Sequence, residues 1–123
     1  MPLLFRPPPS LNRMTTARVW SVTSTAPTEA DARSIARTMV AEKLAAGAEI
    51  TGPATSVFWH LGELSEGPEW RVTLRTSIHA RDRLAARLSA IHPWDSPEVS
   101  ATPIEWCTDS YAEWVERATA VSE

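Results

Sequence analysis

The stretch His92-Pro93-Trp94-Asp95-Ser96-Pro97-Glu98 sets an imidazole, an indole and two carboxylates between two prolines. An imidazole nitrogen with carboxylate oxygens is a mixed donor set that suits borderline divalent ions, so His92, Asp95 and Glu98 are candidate metal ligands. The same residues also read as a stiff joint. In that reading the prolines set the backbone, Trp94 packs over it, and the carboxylates meet solvent or a neighbouring arginine.

Other chemistry is thinly represented. His60 and His79 have no second histidine at helical spacing and read as solvated surface, and no HExxH zinc pattern exists. Cys107 is the one cysteine, which excludes an internal disulfide and a CxxC zinc knuckle and fits a reducing cytoplasm. No GxSxG elbow or Ser-His-Asp pattern is present, and the four glycines are isolated, so neither nucleophilic catalysis nor a phosphate-cradling loop is indicated. The expected protein is not an enzyme.

Composition narrows the class further. The 123 residues are 43% hydrophobic and 22% charged, a globular balance with room for one domain. Twelve basic against fifteen acidic residues leave a net charge of −3, with the basic ones scattered, so nucleic acid is not an expected partner. No apolar run approaches the length of a membrane span. Residues 1–13, with Pro7, Pro8 and Pro9, read as a disordered proline-rich tail ahead of a domain over 14–123, and Met14 stands where a start could lie.

The elements that must position the His92 stretch follow from periodicity. Alternating Val, Trp and Val among small polar residues predicts a strand over 17–24. A helix follows from the N-cap Thr28, with Gly47 as terminator and Ala32, Ile35, Ala36, Met39, Val40 and Leu44 on one face. Strands over 48–60 and 69–77 form a hairpin through a polar turn carrying Gly62, Gly67 and Pro68, with Gly52-Pro53 marking a bulge. Trp70, Val72 and Leu74 share one face of its second arm, and Arg71, Thr73 and Arg75 the other.

A second helix over 80–91 carries Leu84, Leu88 and Ile91, and Pro93 stops it at His92. A strand over 98–105 and a short helix from Ser110, with a Ser110–Glu113 capping box, complete the order. The pattern β-α-β-β-α-β plus a C-terminal helix is α+β and ferredoxin-like, with a long hairpin between the second and third strands. Six tryptophans exceed what so small a domain usually hides, which points to a subunit interface.

Three stretches together resemble the CutA divalent-cation tolerance family: Thr23–Gly47, Gly52–Leu64, and His92–Ile104 followed by Tyr111–Val115. The resemblance runs from residue 17 to about 118 and is most specific at His92–Glu98. It implies a cytoplasmic, non-catalytic homotrimer of PII-like shape, paired through the long hairpin. The implied role is tolerance or homeostasis of copper and other divalent cations, as a metal-binding or signalling module.

No cofactor is required, though a divalent metal (Cu, Zn or Ni) is a possible ligand. By the same resemblance Arg75, Trp70, Glu98, Tyr111 and Trp114 lie near an intersubunit cleft, and His92 is a metal-ligand candidate. A second possibility is a PII-like sensor that takes a small anion or nucleotide in those clefts. The chain departs from the family where Ser24 and Gly47 replace cysteines, Ile91 replaces a histidine, and His60-Leu61-Gly62 replaces a Trp-Glu-Gly turn. Losing those thiolates and that imidazole disfavours tight Cu(I) binding and leaves Cu(II), Zn(II) or Ni(II).

Overall fold

Strand-forming Val and Trp residues, helix-forming Ala and Arg runs and a few well-placed caps give seven elements in the computed structural model, which describes residues 16–121. They are β1 (Val19–Ala26), α1 (Glu29–Ala41), β2 (Gly47–His60), β3 (Glu63–Ser77), α2 (Arg81–Ile91), β4 (Ser100–Ile104) and α3 (Asp109–Ala118). The expected tail over 1–13 lies outside the described residues. No helix among them is long and apolar enough to cross a membrane.

The four strands form one antiparallel sheet in the order β2-β3-β1-β4. This is the split β-α-β arrangement expected from the order of elements: β3 lies between β1 and β2, and β1 between β3 and β4. One face is covered by α1 and α2 over a core of Val22, Ile35, Met39, Val72, Leu74, Leu84 and Leu88. On the other face α3 covers only one end, where Val19 packs with Ala112 and Val115. The rest of that face carries Ser21, Thr23, Arg71, Thr73 and Arg75, in register across β1 and β3.

Several local expectations are corrected. The turn after α1 is made by Lys43, at φ 60°, and not by Gly47, which opens β2. Lys43 is exposed, so its side chain escapes into water while Leu44 and Ala45 return their N–H groups to the Met39 carbonyl. Val40 falls off the buried stripe.

The hairpin turn is shorter than expected. Gly67 and Pro68 pair with Ser56 and Thr55 inside the ladder, and only Leu61 and Gly62, both at positive φ, make the turn. Two consecutive positive-φ residues match the twist of the flanking strands, which is why two residues suffice. Pro68 is tolerated because β1 pairs with β3 only from Trp70 onward, so β3 has one partner there.

α3 starts at Asp109, not Ser110. Thr108, in an extended conformation, caps it by accepting the Tyr111 N–H, so the expected Ser110–Glu113 box does not form the cap. Thr28 caps α1 as expected, accepting from the Asp31 N–H at 3.0 Å.

Candidate functional site

The exit from α2 sets the His92 loop against β1 and facing the hairpin. Pro93 holds His92 in an extended conformation at the end of α2, and the imidazole, 8% exposed, turns inward against β1. Its Nε2 lies 2.7 Å from the Thr25 carbonyl and its Nδ1 3.0 Å from the Trp94 amide nitrogen. A carbonyl can only accept and an amide N–H can only donate. The ring therefore carries its proton on Nε2, and Nδ1 accepts. Both nitrogens are spent on the backbone, and the Trp94 indole tilts against the imidazole at 5.3 Å.

This arrangement makes His92 the pin of the loop and leaves it no lone pair for a cation. Asp95 and Glu98 point outward and are exposed. Glu98 accepts from the Ser100 hydroxyl at 3.1 Å and faces Arg71 at 3.9 Å. Among the described residues no group of three or more His, Cys, Asp or Glu side chains is placed to hold a metal ion. The donor set does not fit a resident metal centre on His92.

What the loop does build is one wall of a cavity of about 870 Å³. Trp94, Asp95 and Glu98 line one side, and Phe58, His60 and Glu69 of the hairpin line the other. The bulge decides which hairpin residues take part. Register shifts between Thr51 and Ala54, so Ala54 pairs with Glu69 and the even-numbered residues Ser56, Phe58 and His60 share a face with Glu69. At Gly52 (φ 154°) a Cβ would lie 2.8 Å from the Trp70 ring, so the bulge needs glycine there. Sequence reading missed Phe58, His60 and Glu69 as site residues. The signal was the Gly52-Pro53 bulge, whose one-residue phase change reverses the alternation.

The five residues expected in a cleft do not converge within one chain. Arg75 lies on the open sheet face and donates to the Ser21 hydroxyl at 3.1 Å. Tyr111 and Trp114 stack at 5.8 Å on α3, with the Trp114 ring beside Gly47, the β2 partner of Arg75. Trp70 packs behind the sheet with the helix-covered core. Glu98 stands near Arg71, at the opposite end of the open face.

Resolved electrostatic shifts lie away from these groups. A hydrogen-bonded Arg18 holds the Glu116 carboxyl below its ordinary value, and Arg87 does the same to Glu42. Ser24 is a buried exception to polar satisfaction, its hydroxyl finding no partner among the described residues.

Comparison with known proteins decides the family. The pattern described as CutA1 divalent ion tolerance protein matches residues 20–118. The chain belongs to the CutA1 family. It is 37% identical over 95 residues to the divalent-cation tolerance protein CutA of Thermus thermophilus, covering 77% of this chain and 92% of that one. To the CutA of Escherichia coli O139:H28 it is 34% identical over 94 residues, covering 76% and 84%.

Among solved structures, CutA1 from Oryza sativa superimposes with a TM-score of 0.81 at 31% identity, covering 88% of this chain and 99% of that one. The CutA1 match spans all seven elements except the first residue of β1, so the ferredoxin-like sheet and the His92 loop both fall inside the family region.

Proposed function

We propose that this chain acts in tolerance of divalent cations, as a non-catalytic homotrimeric binding or signalling module of the CutA1 type. The match over residues 20–118 carries this reading. Cation contact falls to the outward carboxylates Asp95 and Glu98, while His92 positions the loop. A carboxylate-only set is a hard donor set that holds Cu(II), Zn(II) or Ni(II) only weakly, with water completing the coordination.

The trimer is supported by what the chain leaves bare. Among the described residues the outer edge of β2 has no strand beside it, and Val57, Trp59, Leu61 and Leu64 at the hairpin tip are exposed. The cytoplasm is the proposed compartment, since the lone Cys107 has no internal disulfide partner.

Calorimetric titration of the purified protein with Cu(II) and Zn(II), beside a copper-challenge growth assay in cells with and without the gene, tests this reading. The expected result is saturable, weak binding that disappears in the Asp95→Asn/Glu98→Gln double variant, with copper tolerance lost in the same variant. Binding unchanged by that double substitution removes the assignment of the loop. Unaltered copper tolerance without the gene removes the function.

A further inference from the structure

A cleft lined by charges of one sign and by apolar walls focuses its field on a counter-charge. The cavity between the His92 loop and the hairpin is of this kind: Glu69, Asp95 and Glu98 line it, and no described lysine or arginine does. His60 is the one basic side chain of the lining. Glu98 has Arg71 at 3.9 Å, whereas Asp95 and the half-buried Glu69 pair with no cation among the described residues.

Two further features point to a ligand larger than an ion. Each wall presents an aromatic ring, Trp94 on the loop and Phe58 on the hairpin, 40% and 43% exposed, and such ring faces attract organic cations. Thr25, only 4% exposed, lines the same cavity. Its carbonyl is spent on His92, but its hydroxyl has no hydrogen-bond partner among the described residues. Ser24 holds the one sealed hydroxyl of that kind among them, so the Thr25 oxygen keeps its access through the cavity that it lines. A volume of about 870 Å³ is that of cavities which enclose organic molecules.

We propose that this cavity binds an aliphatic diamine or polyamine, one ammonium group at Asp95 and Glu98, a second at Glu69, and the apolar spacer against Trp94 and Phe58. An ammonium group brings three donors and no acceptor, which suits carboxylates and the lone pairs of the Thr25 hydroxyl. Two charges are needed because carboxylates stand on both walls, and a methylene spacer because each wall also presents a ring. The site shares the Asp95–Glu98 wall with the cation contact proposed above and rests on that assignment of the wall, while Glu69, Thr25 and the two rings are its own.

Calorimetric titration of the whole protein in metal-free buffer with spermidine, 1,5-diaminopentane and n-pentylamine, at ionic strength held constant by sodium chloride, tests it. Wild type is expected to bind spermidine or diaminopentane saturably, once per chain, and pentylamine, equal in length with one charge fewer, about tenfold or more weakly. Glu69→Gln, which keeps shape, should weaken the diamine by a similar factor and leave a parallel Zn(II) titration as in wild type. Trp94→Leu should weaken the diamine several-fold through its lost ring face, and Thr25→Val less. Glu105→Gln, an exposed carboxylate outside the lining, should change nothing. The proposal is overturned if neither spermidine nor diaminopentane binds, or if pentylamine binds as tightly as diaminopentane. It is overturned too if Glu69→Gln, with an unchanged circular dichroism spectrum, binds the diamine like wild type. Amine binding without Zn(II) binding supports the amine site and removes the metal reading, and Zn(II) binding without amine binding does the reverse.

Discussion

The sheet is built of the same alternating strands throughout, yet its two halves meet opposite fates. Over the helices, Val22, Val72, Leu74, Leu84 and Leu88 are at most 1% exposed. Along the outer hairpin, Trp59 is 75%, Leu61 91% and Leu64 68% exposed, although Trp59 and Leu64 pair directly across the strands. The difference is one of partners. α1 and α2 supply a second layer for the first half, and nothing among the described residues supplies one for the second, so its apolar side chains are left for another partner.

The largest effect expected from this contrast is in the helix-covered half. Leu88→Ala should cost about 2–5 kcal/mol, read from chemical denaturation, because a fully buried leucine leaves a cavity that the sheet cannot close. A loss below about 1 kcal/mol would mean that the layer is looser than its burial implies.

Ser24 offers a sharper probe of the same region. Its hydroxyl is buried without a partner, so Ser24→Ala should stabilise the protein by about 1 kcal/mol, against the usual sign of a core substitution. Destabilisation would show that the hydroxyl is satisfied in solution.

The smallest effect on the chain's own fold is expected in the hairpin. Trp59→Ser with Leu64→Ser should leave the circular dichroism spectrum unchanged while lowering the mass measured by light scattering from that of the proposed trimer toward one chain. Unchanged mass would break the comparison, since the bare half would then need no partner of its own kind.

Much of this was legible in advance, for identifiable reasons. Ala32, Ile35, Ala36 and Met39 recur at helical spacing because one stripe of α1 meets the sheet, and all four are buried. Trp70, Val72 and Leu74 alternate with Arg71, Thr73 and Arg75 because α1 and α2 pack on one face of β3 while α3 reaches only one end of the other. The turn residues were harder. Gly62 was found as a turn residue, but Lys43 and Leu61 hold positive φ without being glycine, so composition pointed to Gly47 and Gly67 in their place.

The site divides along the same line. Local sequence determined that two prolines would clamp His92–Glu98 at the end of α2, since Pro93 forbids helix at the residue before it. Only the tertiary structure decided what the clamp does. Thr25, 67 positions earlier, and the Trp94 amide take both imidazole nitrogens, and the bulge turns Phe58 and His60 onto the face of Glu69. Hydrogen-bond partners and strand register are set by contacts between distant segments, and residue type at one position does not encode them.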